Sequence, residues 1–285
     1  MFVIDVPYFN LDQIYNSGQC FRWIKLKDMK YVIPDRDTAL KVEQVKDRLI
    51  MSCTEEEFFE HWYHYFDLGT DYLQVNTSMA RINPYAKICA VRGKGIHILK
   101  QDLFEMIISF MLATATNIPR IKQMLTMICE SCGIKHVQSM REAGKITWYE
   151  FPTPKMILEN QDEIGNLGLN RKENIIQICQ DIIDGWLDLD ELSQMGYEDA
   201  KEYLMQFEGI GPKVADCICL YGLHLHESFP IDTHISDILK REFDCDYETF
   251  HDWYLDGIAE HAGIIQQYMF YNEINPPKEV SGEWD

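Results

Sequence analysis

The 285-residue sequence has no window near the roughly 18 consecutive apolar residues that a membrane-spanning helix needs. Its first residues (Met1 to Asn10) show neither a basic leader nor a long apolar core, so no signal peptide is expected. Positive charge is scarce: 26 Lys and Arg stand against 46 Asp and Glu, for a formal net charge of −20. A polyanion is normally met by Lys and Arg, so this balance argues against tight non-specific nucleic-acid binding by the surface as a whole. Exposed charges farther apart than about 8 Å hardly feel one another at physiological salt, so local distribution decides. One run is locally basic: Arg81, Lys87, Arg92, Lys94, Lys100, Arg120 and Lys122 face only Asp102 and Glu105, and a basic face on an acidic body is expected there. A disulfide framework is also missing. The nine cysteines are odd in number and scattered, several within helical patterns, which suits reduced thiols in the cytosol.

What is present divides in chain order. Residues 1–92 read as an N-terminal antiparallel sheet domain. The stretches Cys20–Leu26, Tyr31–Ile33, Ala39–Val45 and Arg48–Cys53 are short and rich in aromatic or β-branched residues. Polar turn clusters at Lys27-Asp28, Pro34 to Asp37 and Lys46-Asp47 separate them. Thr54 followed by Glu57 makes a capping box that opens a helix to about Phe66, with Phe58, Phe59, Trp62 and Phe66 read as core. From Gly93 onward the pattern is expected to be helical throughout, giving an all-α domain over residues 93–285 and an α+β class overall. Asp102, Asn117 and Thr153 mark helix starts, Leu167-Gly168-Leu169 a turn before a helix over 171–183, and one last helix should run from about Asp246 through Phe270. The polar tail, 275–285, is expected to fray.

The chain is organised around Tyr203–Arg241. This stretch reads as a helix, a tight hairpin at Gly209-Ile210-Gly211, a second helix opened by Pro212, and a loop ending in Asp232 at a third helix start. Glycines permit a sharp turn and close approach of backbone to a ligand. Proline suits the first helical position, and the free N–H groups there can receive a phosphate. Lys213 puts an amine beside the same anion. The hairpin alone is compatible with a passive phosphate-docking element, and Asp232 alone with a helix N-cap over 233–241.

Lys213 with Asp232 nineteen residues later, in Gly209-Ile210-Gly211-Pro212-Lys213 and Pro230-Ile231-Asp232-Thr233-His234, resembles the helix-hairpin-helix-Gly/Pro/Asp superfamily of DNA glycosylases. Within it the sequence is most similar to the 8-oxoguanine DNA glycosylases of the eukaryotic type, a branch with bacterial members. Gly18-Gln19-Cys20-Phe21-Arg22-Trp23, Phe151-Pro152, Gln266 and Phe270 extend the resemblance over nearly the whole chain. It implies a bifunctional enzyme of base excision repair that flips 8-oxoguanine out of double-stranded DNA, excises it and cleaves the abasic strand. Lys213 would attack the sugar C1′ and form a Schiff base. An ordinary lysine, with a pKa of about 10.4, is almost wholly charged at pH 7, so the site must lower that pKa or remove the proton. Asp232 would steer the amine and stabilise the cationic sugar. The Gly18 carbonyl would meet the N7–H that distinguishes 8-oxoguanine from guanine. Gln266 would read the Watson–Crick edge, while Phe270 and Cys217, on the Lys213 face at i+4, would sandwich the base. His234 would lie near the 5′ phosphate, and Asn117, Arg120, Arg171, Gly209 and Gly211 are the remaining expected DNA contacts.

The pattern departs from the family in two places. The gap-filling asparagine falls near Ala115, and the usual Gly-Tyr-Arg after Leu169 is Asn170-Arg171-Lys172, so relaxed preference for cytosine opposite the lesion is expected. Only Cys245 follows Asp232, which excludes the four-cysteine iron–sulfur cluster of the endonuclease III branch. The hairpin carbonyls of Met205, Phe207 and Ile210 could hold a structural cation; no catalytic metal or cofactor is expected. A monomer in the cytoplasm, on DNA rather than membrane, completes the reading. Its rivals are a hydrolytic alkylpurine glycosylase of the same superfamily, which would not need Lys213, and a non-catalytic hairpin protein.

Overall fold

The computed structural model describes residues 1–140 and 144–277. Five strands, β1 (Phe2–Asp5), β2 (Ile24–Lys27), β3 (Lys30–Asp35), β4 (Thr38–Val45) and β5 (Arg48–Met51), form one antiparallel sheet in the order β1-β5-β4-β3-β2. Four of them fall on the expected stretches, joined at the expected polar turns. β4 shows why the register holds: Leu40, Val42 and Gln44 point inward on alternate residues, and a one-residue slip would turn all three to solvent. β1 was not expected. It pairs with β5 in the register Phe2↔Met51, and four residues are too few for a clear period.

The capping box at Thr54 is present, with Glu57 N–H donating to Thr54 Oγ1 at 3.1 Å and Thr54 N–H donating to Glu57 Oε2 at 2.7 Å. It opens a helical run over 55–65 that widens to a π turn at Phe58–Trp62. Phe58, Trp62 and Phe66 are buried against the sheet with Trp23 and Tyr31. Each large apolar side chain removed from water stabilises the fold by about 1.5–3 kcal/mol. Phe59 does not belong to that core: it is half exposed and meets Phe2 edge-on.

The rest is mainly helical and packs around Leu103–Leu112, whose residues from Phe104 to Leu112 are buried except Glu105. Side-chain caps set the starts: Asp102, Asn117, Thr153, Asp232 and Asp246 each accept a backbone N–H from the first turn. The helix Ile118–Cys132 buries the predicted face and stops at Gly133. Tyr72–Met79 and Pro84–Gly93 contribute Val75, Met79, Ala86 and Cys89 to this same helical core, so the division at residue 92 is one of chain order rather than of packing.

Two further expectations are corrected. The region after Gly93 is not helical throughout: Lys135–Met140 pairs with Gly144–Tyr149 as a two-stranded hairpin, with Ile146 and Trp148 turned inward at a period of two. And the last helix is two, Tyr247–Tyr254 and Ala262–Ile274, because the chain turns over 255–261, where Leu255 is buried and Gly257 takes φ +73°. Residues 278–285 of the expected frayed tail lie outside the described residues. Among the described residues no helix is long and apolar enough to cross a membrane.

Candidate active site

The hairpin follows the helix Tyr197–Leu204. Gly209 has φ +87°, where an L side chain is strained, and a Cβ there would also push the Asn174 side chain, whose Nδ2 lies 2.7 Å away. Gly211 is different. Its backbone is extended (φ −88°, ψ 178°), open to any residue, and nothing lies within 4 Å of where a Cβ would be. What glycine provides there is clear approach to the start of the next helix. That helix, Pro212–Ile218, has no side-chain cap, which leaves its first N–H groups for a ligand. It runs on through a π turn at Cys219–Leu223. Lys213, Cys217 and Tyr221, at i, i+4 and i+8, present one face to an open cleft of about 1200 Å³.

Of the twelve predicted site residues, all but Arg120 and Arg171 line this cleft. Lys213 Nζ lies 5.7 Å from the centre of the Phe110 ring. Burial pushes the Cys217 thiol up to about 11; Lys213 draws it down and Asp232 pushes it up, so both groups act on the same sulfur. Cys217 is therefore a neutral thiol. Asp232 caps the helix Thr233–Ile238, its Oδ1 accepting from Ile235 N–H at 2.9 Å. The N-cap role anticipated for it is real, and it uses only one carboxylate oxygen.

Gln266 is 4% exposed, and its Nε2 donates to the Pro230 carbonyl at 3.0 Å. That carbonyl can only accept, so it fixes which way the amide faces. Gln266 Oε1 is left buried without a hydrogen-bond partner. An unmet buried acceptor costs about 1–3 kcal/mol, a cost that a donor on a ligand would remove. Gly18 has φ +86°, and a Cβ there would lie 3.1 Å from Phe270 Cε1 and 3.2 Å from Ile118 Cδ1. His234 is exposed and meets Phe270 edge-on, with ring centres 6.0 Å apart.

The two arginines are engaged elsewhere. Arg171 donates to the carbonyls of Leu167 (3.1 Å), Gly168 (3.3 Å) and Thr114. Arg120 donates to Gln123 Oε1 at 2.6 Å and to the Asn166 carbonyl at 3.4 Å. Together they tie the 113–117 loop to the 166–170 turn, beside a smaller hollow of about 290 Å³ lined by Asn170, Asn174 and Gly209. Asn117 caps the helix Ile118–Cys132, its Oδ1 accepting from Arg120 N–H at 3.0 Å. The expected basic face is not the cleft wall. None of the seven basic residues from Arg81 to Lys122 lines it; Arg92 bonds to Asn272 and Asn275, and Lys122 lies 4.1 Å from the centre of the Tyr15 ring. Among the described residues the lining Lys and Arg side chains are Lys213 and Lys240, against Asp232 and Asp237.

Comparison with known proteins bears on this geometry. Residues 1–107 match the family described as 8-oxoguanine DNA glycosylase, N-terminal domain. The chain is 28% identical over 262 residues to an N-glycosylase/DNA lyase of Saccharomyces cerevisiae, covering 82% of this chain and 68% of the yeast protein. It superposes on the apo form of the Clostridium acetobutylicum 8-oxoguanine glycosylase/lyase with a TM-score of 0.83 at 28% identity, covering 94% of this chain and 95% of that one. The same TM-score, 0.83, holds at 27% identity against that enzyme in complex with double-stranded DNA containing cytosine opposite 8-oxoG, covering 95% and 97%. Residues 1–107 thus carry the N-terminal domain of the 8-oxoguanine DNA glycosylases, and the chain resembles such enzymes over nearly its whole length.

In this chain, packing supplies partners that sequence reading missed. Gln267, next to Gln266, donates to the Ser17 carbonyl at 2.9 Å and accepts from the Tyr221 hydroxyl. It thereby joins the Gly18 turn to the helix of Lys213. Gln19 is fully buried and holds the other side of that turn, donating to the His97 carbonyl at 2.9 Å and accepting from Leu99 N–H at 2.8 Å. Asp216, one turn after Lys213, is buried and meets Lys201 Nζ at 2.9 Å and the Tyr197 hydroxyl at 2.8 Å. Lys201 and Tyr197 sit on the preceding helix, so this network fixes how the two helices of the hairpin cross. A buried carboxylate next to a neutral cysteine carries no periodic signal of its own; only the tyrosine and lysine at i and i+4 of the preceding helix hinted at a partner.

Proposed function

We propose that this chain excises 8-oxoguanine from duplex DNA with Lys213 as nucleophile and then cleaves the abasic strand. The observation that carries the reading is that Lys213, Asp232 and the unpartnered Gln266 Oε1 line one cleft. The Lys213 amine attacks C1′ of the flipped nucleotide; the glycosidic bond breaks, and the base leaves with its electron pair and takes up a proton. The sugar ring opens to a Schiff base. Loss of a proton from C2′ then expels the 3′ phosphate by β-elimination. Asp232 Oδ2, the oxygen not used in the cap, faces the positive charge that develops on the sugar.

Base choice follows from hydrogen-bond direction. A guanine-type Watson–Crick edge offers N1–H and N2–H donors to Gln266 Oε1, where adenine presents the N1 lone pair. The Gly18 carbonyl accepts from the N7–H that the lesion has and guanine lacks. Phe270 and Cys217 hold the two faces of the base. The enzyme acts as a monomer on double-stranded DNA inside the cell.

Borohydride added during reaction with an 8-oxoguanine duplex should trap one covalent protein–DNA adduct, and Lys213→Gln should abolish the adduct while still binding duplex. Base release without an adduct would favour the hydrolytic reading instead, and no base release at all a docking module.

A further inference from the structure

We propose that Asp67, His224 and His226 bind one divalent transition-metal ion, with Zn²⁺ as the fitting case, at a structural site apart from the cleft. None of the three residues lines the cleft. His224 Nε2 and His226 Nε2 lie 3.1 Å apart, and Asp67 Oδ2 lies 3.6 Å from the first and 3.7 Å from the second. A triangle of those sides has a circumradius of about 2.0 Å, so one point near its plane is equidistant from all three atoms at the Zn–N and Zn–O bond lengths of about 2.0–2.2 Å. Two imidazoles and a carboxylate are a zinc-type donor set.

Hydrogen bonding alone accounts poorly for this convergence. His224 Nε2 also lies 3.2 Å from the Ile98 carbonyl, which can only accept, so that nitrogen carries the proton. One N–H then serves both the Ile98 carbonyl and the lone pair of His226 Nε2. Asp67 Oδ2 is beyond hydrogen-bond distance of either ring. An ion at the common point takes the place of the His224 Nε2 proton, which moves to Nδ1, and meets all three donors at once.

The surroundings hold the ligands in place. Asp67 Oδ2 accepts from the Tyr72 hydroxyl at 2.6 Å, and Asp67 Oδ1 accepts from Thr70 Oγ1 at 2.9 Å. Such outer hydrogen bonds orient a ligating carboxylate. Side-chain exposure is 8% for Asp67, 18% for His224 and 12% for His226, so the donors are desolvated in advance. His224, at φ +63°, ends the helical segment that began at Pro212, and Asp67, at φ +48°, ends the run over 55–65. The ion would therefore clamp the N-terminal half to the far end of the helix that carries Lys213.

The test uses the full chain stripped with chelator and reloaded with Zn²⁺. One ion per chain should survive desalting, and the Tm should rise with Zn²⁺ concentration. His224→Asn and His226→Asn should each weaken binding at least about tenfold, and Tyr72→Phe about 10- to 100-fold. Should those variants fold poorly, Co²⁺ bound to the unaltered chain should show the visible bands of a tetrahedral nitrogen and oxygen site without a thiolate charge-transfer band. No retained ion, unchanged affinity in both histidine variants, or a thiolate band from the cysteines would overturn the proposal.

Discussion

Replacing Gly18 by alanine adds a single methyl group to the turn facing the cleft, with two separable costs. The backbone sits at φ +86°, where an L-residue is disfavoured by about 1–2 kcal/mol. The new Cβ would stand 3.1 Å from Phe270 Cε1 and 3.2 Å from Ile118 Cδ1, inside the ordinary contact distance of about 3.5–4.0 Å. Phe270 must therefore shift, and overpacking of this kind costs about 1–3 kcal/mol. The total, about 2–5 kcal/mol, lowers the Tm by about 2–4 °C per kcal/mol in a chain of this size. Gly257→Ala is the matched control, since Gly257 has φ +73° with nothing within 4 Å of the added Cβ, so it carries the backbone cost alone. Urea unfolding and single-turnover excision on an 8-oxoguanine duplex separate the two. Gly18→Ala should slow excision at least about tenfold, the equivalent of 1.4 kcal/mol at the transition state, because the wall proposed to hold the base would move. Gly257→Ala should excise at the original rate. Wild-type excision by Gly18→Ala, or equal stability losses in the two variants, would refute the steric argument.

Asp232→Asn should preserve the helix cap, since Asn caps as well as Asp, and should leave the Tm unchanged while excision falls at least about 100-fold. A matching loss of stability would show that the acid is structural only. Lys201→Met strips the ammonium from buried Asp216 and should cost about 3 kcal/mol in urea unfolding at neutral pH. Burial already holds the Asp216 carboxyl above its usual range, against the pull of Lys201 and Tyr197. With a raised folded-state pKa, the stability deficit grows as pH rises through that pKa and shrinks on acidification; a pH-independent deficit would contradict this. Ala115 occupies the left-handed region at φ +50°, where Asn is better tolerated, so Ala115→Asn should raise stability by about 1 kcal/mol; a lower urea midpoint would count against it. With alanine at that place, 8-oxoguanine should be removed opposite all four bases at similar rates, and strict dependence on cytosine would sink the expectation.

Local chemistry made much of this protein readable before any fold was known. Capping residues at Thr54, Asp102, Asn117, Thr153 and Asp232 marked helix starts because each satisfies backbone N–H groups within its own first turn. The Gly209-to-Lys213 hairpin and the spacing of Lys213 and Cys217 were likewise local, set by backbone sterics and the 3.6-residue period. Short strands fared worse. β1 and the Lys135–Met140 hairpin depend on partners distant in sequence or on a period too brief to stand out. Arg120 and Arg171, expected among the DNA contacts from the resemblance, also close a loop pair by binding its carbonyls, and only packing could disclose that.

By itself, then, the sequence determined the class of elements, the Gly209-to-Lys213 hairpin and the residues that carry the family resemblance. Tertiary structure decided how Gly18, Asp232 and Gln266, more than 200 residues apart at the extremes, come to share one cleft. It also decided that Pro230 fixes the Gln266 amide and leaves its oxygen unpaired, and that Asp67 converges with His224 and His226. The physical reason is range. Caps, turns and helical faces depend on neighbours within a few residues, whereas an orphaned acceptor or three converging ligands depend on which distant segments bury one another.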